Sequence, residues 1–541
     1  MSSQLLLFAE PLLSAGLSRL LEAEIPALEV VEQPEALAGS PEIVLWRPEI
    51  GTDLQSLRRE LVLLRERWQP SPVLLCLGSE HGLTHDELLL LSAEGILENP
   101  QPKQLVDAVV TLRAGGRVMA FQQPIAHQTM GDELSQGQRL LLNGLKQIDV
   151  VRTGCELLLS RQHIHPLARL TLEGRLRELL CARNFLLWLL GPLSLAWSAS
   201  GQTTKIPECI TPTAVTSITL QQRNAEGIWM AVQTRLSNAI SSGLINRSGQ
   251  IMAIEGLNDE RRTDLLMALL EQLNVVRQQL ASEDVESAGC DVQNLQRRWL
   301  ALQPQLREQA LRSMASPYVQ IPQDGSLLTV ANTLVEVSNM ALNDSELPDP
   351  QPMLASLVLA QPLLVDGQLL PADEPRAVLH LERLVANWLL RSAEILSAEV
   401  LACCGGWPEL RRYLLRPDLL STRNLERIRN QLNAQQRWLS WFERPIALYE
   451  SRRQLLCLEA GAISAVDLLE PRDQELRRLG WFQQLVTLAL ESRDALAPQI
   501  QQMVRGLGDL VVVVLTQVIG RAIGLIGRGI MQGMGRSLGR S

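Results

Sequence analysis

Gln4-Leu-Leu-Leu-Phe8 followed by Pro11-Leu-Leu-Ser-Ala-Gly-Leu-Ser-Arg-Leu-Leu21 decides the fold of the N-terminal region. The first stretch is a short apolar strand, and the second places its leucines on one side of a helix. Further strands are predicted at Glu42–Trp46, Val73–Leu77 and Gly95–Leu97. One further helix ends with Leu88–Leu91, and a last helix is predicted at Leu105–Leu112, where Gly115-Gly116 stops it. Short apolar strands that alternate with amphipathic helices predict a parallel sheet covered on both faces.

Three segments carry a resemblance to a known domain. They are Pro11–Leu21, Ser92-Ala-Glu-Gly-Ile-Leu97 and Leu105-Val-Asp-Ala-Val-Val-Thr-Leu-Arg-Ala-Gly-Gly-Arg117. In this order they resemble the receiver domain of two-component response regulators. The resemblance implies a flavodoxin-like, doubly wound fold in the α/β class, followed here by a large, mainly α-helical region. In such a sheet the functional site lies at the carboxyl ends of the strands.

The phosphoacceptor pocket of a receiver is degenerate in this sequence. The resemblance implies an acidic pair after the first strand, where Phe8 and Ala9 stand, and a phosphoacceptor aspartate, where Arg47 stands. It also implies a Ser or Thr at Leu77 and a Lys at Asn99. Phosphoryl transfer needs a metal ion and an anionic nucleophile, and these residues supply neither.

We therefore predict a phosphorylation-incompetent receiver that docks an unidentified protein partner. A register slip that brings Glu42 or Glu49 into the pocket is the alternative, and the strand pattern opposes it because a one-residue slip would turn every side chain to the other face.

Composition narrows the function classes. The net charge of −9 argues against a nucleic-acid partner, and the hydrophobic content of 46% supports large cores. None of the eight cysteines forms a C-x-x-C pair, which favours reduced thiols and a cytoplasmic protein; they are Cys76, Cys155, Cys181, Cys209, Cys290, Cys403, Cys404 and Cys457. The sequence begins directly with residues of a predicted strand and has no signal-peptide pattern before it, so no secretory signal is expected.

Composition shifts and breaks divide the chain into six regions. We expect a receiver-like domain at 1–120, a polar linker at 121–131, a mainly helical domain at 132–342, a linker at 343–352, a helical domain at 353–505 and a Gly/Arg-rich amphipathic segment at 506–541. Asp366-Gly367 between apolar runs predicts a hairpin. Long helices are predicted at Asp259–Glu283, Asp291–Met314, Pro375–Cys404 and Ile446–Leu458.

Two apolar segments raise the question of a membrane. Phe185–Trp197 is uncharged but has only 13 residues and is broken by Gly191-Pro192. A spanning helix needs roughly 20 residues, so a buried core helix or an interfacial segment is expected instead.

The second segment is Gly506–Ser541. Its basic face holds Arg521, Arg528 and Arg536, and its apolar face holds Ile519, Ile523, Ile526 and Ile530. Because glycines interrupt it, this segment should fold only on a surface, and an anionic membrane or a partner suits its charge. Docking onto the rest of the chain and a disordered tail are the alternatives.

Four further segments carry a second resemblance, over roughly residues 130–541. They are Asn424-Leu-Glu-Arg-Ile-Arg-Asn-Gln-Leu-Asn433, Phe442-Glu-Arg-Pro-Ile-Ala-Leu-Tyr-Glu-Ser-Arg452, Pro471-Arg-Asp-Gln-Glu-Leu476 and Gln517-Val-Ile-Gly-Arg-Ala-Ile-Gly-Leu-Ile-Gly-Arg528. They resemble an uncharacterised family found in cyanobacteria and as a plastid open reading frame in algae. The resemblance implies a photosynthetic lineage, and hence the thylakoid or plasma membrane as the surface, but no catalytic residues.

Chemical motifs are missing from the sequence. It holds no Walker loop, no strand-associated G-x-G-x-x-G and no H-E-x-x-H. His81 and His85 are weak metal-ligand candidates, and Cys403-Cys404 is more typical of structural thiols, so we expect no cofactor and no metal. The favoured interpretation is a non-enzymatic regulatory or scaffold protein peripheral to a photosynthetic membrane and linked to assembly or regulation of a membrane complex. A transcriptional response regulator and an enzyme with an unrecognised helical site are the alternatives.

Overall fold

The structure is a computed structural model of the full chain. It describes residues 3–25, 28–48, 52–78, 81, 83–123, 214–286, 292–340, 346–488 and 490–492. The Phe185–Trp197 and Gly506–Ser541 segments, residues 124–131 of the first predicted linker and residues 343–345 of the second lie outside these residues.

A seven-stranded sheet forms the N-terminal part, in the order β2-β1-β3-β4-β5-β6-β7. The strands are β1 (Ser3–Phe8), β2 (Leu28–Val31), β3 (Ile43–Trp46), β4 (Val73–Leu77), β5 (Gly95–Glu98), β6 (Arg117–Gln123) and β7 (Ala214–Leu220). The first six run parallel, and β7 pairs antiparallel with β6. The predicted parallel sheet is thus confirmed, with an antiparallel strand added at one end.

Helices cover this sheet as the alternation predicted. On one face, α1 (Pro11–Glu24) and α4 (Pro102–Arg113) share a buried core with Leu5 and Leu7 of β1. Side chains alternate along a strand, so Leu6 points to the other face. There α2 (Leu54–Trp68) packs on β4, and the short α3 (His85–Leu89) follows. Gly115 has a φ of 81° and ends α4, where the Gly-Gly pair predicted a stop.

Three strands of the sheet were not predicted as part of it. β2 has four residues and lies at the edge, too short for a clear alternation. β6 runs to Gln123, so residues 121–123 belong to the sheet and not to the expected linker. The pairing of β7 with β6 joins segments more than 90 residues apart, which no local pattern encodes.

Helices dominate the rest of the described chain. Their bounds are α5 (Ala225–Ser241), α6 (Asp259–Glu286), α7 (Val292–Met314), α8 (Val330–Val337), α9 (Pro350–Leu359), α10 (Pro375–Gly406), α11 (Pro408–Leu414), α12 (Thr422–Trp438), α13 (Arg444–Tyr449), α14 (Asp473–Leu476) and α15 (residues 481–488). The predicted helices at Asp259–Glu283, Asp291–Met314 and Pro375–Cys404 are confirmed. α9 begins inside the expected 343–352 linker, capped by Asp349.

Short strands interrupt the helices. β9 (Gln320–Gln323) pairs with β10 (Ser326–Thr329), and β11 (Leu363–Val365) pairs with β12 (Gln368–Leu370) around the predicted Asp366-Gly367 turn. A third small sheet has the order β13-β14-β8, formed by β13 (Arg452–Glu459), β14 (Ala462–Leu469) and β8 (Ile245–Asn246).

The helix predicted at Ile446–Leu458 is wrong. α13 ends at Tyr449, and the chain continues as β13. The apolar run from Leu455 to Leu458 is buried throughout, so it carries neither the helical nor the strand period. The sequence signal for a hairpin here is Ala460-Gly461. Both residues have positive φ, 47° and 77°, as a two-residue hairpin turn requires.

The described chain divides into two compact units. Residues 1–432 and 454–466 make the first, which contains both the seven-stranded sheet and most of the helices. Residues 433–453 and 467–541 make the second. Within the first unit, Arg117 of β6 donates to the Glu374 carboxylate at the start of α10 over 2.9 Å, which ties the sheet to the helical part. Across the described ranges, every helix is too short or too polar to cross a bilayer.

Candidate functional site at the carboxyl edge of the sheet

The carboxyl ends of β1, β3, β4 and β5 bring the predicted pocket positions together. Phe8 pairs with Trp46, and the backbone N–H of the next residue, Arg47, donates to the Phe8 carbonyl over 2.8 Å. The N–H of Asn99 donates to the Leu77 carbonyl, also over 2.8 Å. These positions therefore lie at the ends of neighbouring strands.

The floor of this edge is apolar and basic. Leu77 is buried, while Phe8 and Ala9 are half-buried, and Ala9 packs against the core beneath α1 and α4. Asn99 is exposed with a φ of 43°, a left-handed conformation that asparagine tolerates better than most residues. Phe8, Ala9 and Leu77 offer no side-chain oxygen as a cation ligand, and Arg47 would repel a cation.

Arg47 reaches across to the end of β4. Its Nη2 atom lies 3.8 Å from the position that a Cβ on Gly78 would take, and its charge acts on the buried thiol of Cys76. Burial raises the pKa of Cys76 to about 12, and the Arg47 guanidinium offsets part of that rise. A thiol with this pKa is not a nucleophile at neutral pH, because the thiolate is the reactive form.

Two histidines follow β4 and have different neighbours. His81 lies 3.3 Å from Glu98, measured from Nε2 to Oε1, and its Nδ1 atom accepts from the Leu83 N–H over 3.0 Å. His85 packs edge-on against Phe121 of β6, with ring centroids 4.6 Å apart, and burial lowers its pKa. The sequence could not show these partners, because both belong to other strands.

Metal ligation finds no support at this edge. Among the described residues, no three His, Cys, Asp or Glu side chains are grouped so that they could hold a metal ion. Cys403 and Cys404 at the end of α10 are free thiols, and burial raises the pKa of each.

A second concave feature lies in the helical part. A cavity of about 150 Å³ opens between α7, the start of α9 and α10, and is lined by Leu300, Gln303, Leu347, Pro348, Asp349, Pro350, Met353, Leu384 and Trp388. Its one ionisable lining group, Asp349, accepts from the Gln351 N–H as the cap of α9 and from the Gln296 side chain, each over 3.0 Å. The cavity thus offers mainly apolar contacts, together with a carboxylate that already accepts hydrogen bonds within the fold.

The contact residues predicted for the C-terminal segment are not among those that the structure describes. Arg521, Arg528, Arg536, Ile519, Ile523, Ile526 and Ile530 all lie outside the described residues.

Two family models match parts of the chain. The family model described as a protein of unknown function (DUF3685) matches residues 344–535, and that described as a cyanobacterial response regulator, helical hairpin domain, matches residues 136–190. The second match lies wholly in residues that the structure does not describe. Neither of these two models covers the seven-stranded sheet.

The chain is similar to Ycf55-like proteins. It is 26% identical over 526 residues to a Ycf55-like protein of Synechocystis sp., covering 94% of this chain and 90% of that protein. It is 23% identical over 306 residues to the uncharacterized protein ycf55 of Pyropia yezoensis, covering 54% of this chain and 87% of that protein. No solved structure matches the chain significantly. The resemblance to a family shared by cyanobacteria and algal plastids is confirmed, and these names assign no activity.

Proposed function

We propose that this protein is a non-enzymatic regulatory or scaffold protein whose N-terminal domain is a receiver that cannot be phosphorylated. The observation that carries the proposal is the carboxyl edge of the sheet. Strand order β2-β1-β3-β4-β5 is that of flavodoxin-like sheets, whose ligand site lies between β1 and β3. At that point the chain has Phe8, Ala9 and Arg47 where receiver chemistry needs carboxylates.

A domain that keeps this fold without its switch chemistry retains surfaces for protein docking. The match of residues 136–190 to a response-regulator hairpin supports a receiver-derived N-terminal half. Incubation of the full chain with Mg²⁺ and labelled acetyl phosphate tests the proposal, with an active receiver as the positive control. We expect no label on the chain, and acid-labile phosphate within residues 1–123 would overturn the proposal.

The second part of the proposal is peripheral attachment to a photosynthetic membrane, where the protein would serve assembly or regulation of a membrane complex. The organisms of the similar proteins and the cationic, apolar Gly506–Ser541 segment support it. Flotation of the full chain with anionic vesicles, compared with a chain ending at Arg505, tests it. The protein would then be cytoplasmic and bound to the thylakoid or plasma membrane.

A transcriptional response regulator is the second candidate, favoured by the response-regulator description of the 136–190 match. The net charge of −9 opposes it. A sequence-specific DNA mobility shift that survives moderate salt would favour this candidate. An enzyme with its site in the helical part is weaker, because the ionisable group that lines the cavity beside Trp388 is the Asp349 carboxylate, which already caps α9.

A further inference from the structure

The helix α15 turns its apolar side outward. Trp481, Leu485 and Leu488 follow one another at intervals of four and three residues, which puts them on one helical face, and they are 75%, 51% and 55% exposed. Phe482 beside them is 39% exposed. A helix on a soluble protein places such a face against the core, so this face is built for contact with something else.

Aromatic packing extends and holds this face. The ring of Phe482 lies 5.9 Å from Phe442, 5.9 Å from Trp481 and 6.1 Å from Trp441, measured between centroids. Trp441 is itself half exposed. In the same unit, the Gln483 side chain donates to the Ser440 carbonyl over 2.6 Å, which fixes α15 beside the π-helical turn Leu439–Glu443. We call Trp441, Trp481, Phe482, Leu485 and Leu488 the Trp481 face.

Positive charge borders the Trp481 face. Arg477 and Arg478 are exposed in the turn before α15, and neither has an ion pair within the described residues. The nearby carboxylates are already engaged, since Glu475 pairs with Arg453 and Arg472. From Arg477 to the end, the chain carries eight arginines against three acidic residues, although the whole chain is negative.

We propose that the Trp481 face inserts into the headgroup region of an anionic lipid bilayer. Tryptophan and phenylalanine beside arginine suit this region, because the rings bury apolar surface while the cations meet lipid phosphates. The C-terminal segment shares the positive charge of Arg477 and Arg478, so charge favours a common anionic surface over the segment folding back onto the face. This inference rests on the proposed membrane attachment and adds a folded contact to it.

Vesicle flotation of four full-length or truncated chains tests the inference. The vesicles contain phosphatidylcholine and phosphatidylglycerol in equal parts, with phosphatidylcholine alone as the neutral control. The chains are the wild type, the Trp481→Gln/Leu485→Gln variant, the chain ending at Arg505, and Val62→Gln/Leu63→Gln. The last is a matched control, because Val62 and Leu63 are exposed apolar neighbours on α2. Circular dichroism and thermal melting show that each chain is folded.

We expect the Trp481→Gln/Leu485→Gln variant to bind anionic vesicles about tenfold more weakly than the wild type, from the apolar area lost, and the α2 control to bind as the wild type does. If the variant binds like the wild type while the chain ending at Arg505 does not, the inference is wrong and the proposed attachment stands. If the wild type itself stays in solution, both are wrong. Concentration-dependent self-association of the wild type that the variant loses would assign the face to a second copy and also overturn the inference.

Discussion

The backbone N–H of Arg47 donates to the carbonyl oxygen of Phe8 over 2.8 Å, which joins the ends of β3 and β1 where a receiver would hold its metal and its phosphoryl group. The bond fixes the backbone from which the Arg47 side chain leaves this edge of the sheet. Under the proposed function, the side chains at this edge differ from those of an active receiver, and substitutions there can probe that difference directly.

Restoring the phosphoacceptor alone should not restore phosphorylation. In Arg47→Asp the nucleophile is present, but Phe8 and Ala9 still provide no carboxylate for Mg²⁺, so the developing charge stays unneutralised. We expect no acid-labile label from acetyl phosphate, measured on the full-length variant beside an active receiver. Mg²⁺-dependent labelling of Arg47→Asp would show that other oxygens at this edge bind the metal.

The described cysteines should be poorly reactive. Burial raises the pKa of both Cys76 and Cys457 to about 12, so thiolate is scarce at pH 8. Peptide mapping after iodoacetamide treatment of the native chain should show slow alkylation of Cys76 and Cys457. Cys403 should be alkylated faster than Cys404, because Cys404 is fully buried. Urea should make all of them react at one rate. Rapid native labelling of Cys76 would contradict the buried edge described above.

Glu394 should make stability depend on pH. Burial raises the pKa of its carboxyl from 4.5 to about 7, although its oxygens accept from the N–H groups of Ala253 and Ile254 over 2.7 and 3.0 Å. Because the folded state binds the proton more tightly than the unfolded state, this group's contribution is full below pH 4.5 and is lost as the pH rises toward 7. Urea unfolding of the full chain across this range should show the free energy of unfolding falling with pH.

The Glu394→Gln variant is the control for that trend. It removes the titrating group, and the pH dependence of the unfolding free energy should flatten relative to the wild type. The variant should also be less stable at every pH, because its amide group supplies one acceptor oxygen for the two N–H donors. An unchanged slope would assign the pH dependence to other groups.

Arg235 should contribute to the stability of the contact between the sheet and the helices. Its Nε atom lies 2.7 Å from the Glu382 carboxylate, and its Nη1 atom donates to the Ser217 carbonyl in β7. Burial raises the pKa of Glu382, and Arg235 offsets that rise. We expect Arg235→Ala to lower the free energy of unfolding by about 3 kcal/mol, because the buried carboxylate loses its partner. Arg58→Ala, at an exposed position on α2, should change it by less than about 0.5 kcal/mol. If both substitutions lower the free energy of unfolding equally, the Arg235–Glu382 ion pair has no special role in stability.

What the sequence could predict followed from local pattern. Short apolar runs between amphipathic helices located β1, β3, β4 and β5 and so placed Phe8, Arg47, Leu77 and Asn99 on one edge. It could not show that Arg47 lies beside Cys76 or His81 beside Glu98, because each contact joins separate parts of the sequence that only the folded sheet brings together. It failed at β13, where complete burial removes the period that separates a helix from a strand.

The pairing of β7 with β6 predicts that a receiver-like fragment cannot simply be cut free. In a fragment of residues 1–123, β6 would present an unpaired edge, and the surface that Ile218 and Leu220 bury would face water. Exposed edges of this kind pair with other copies. We therefore expect the fragment to self-associate with rising concentration, measured by sedimentation velocity.

The register offers a matched control for that fragment. Gln123 pairs with Ala214, so an Asn-Gly turn can join these two residues directly and let β7 fold back on β6 as a hairpin. A chain of residues 1–123, Asn-Gly and residues 214–222 should be monomeric and should melt at a higher temperature than the fragment alone. If the shorter fragment is already monomeric and melts as cooperatively as the joined one, then β7 is an addition that the sheet does not need, and the receiver-like domain ends with β6.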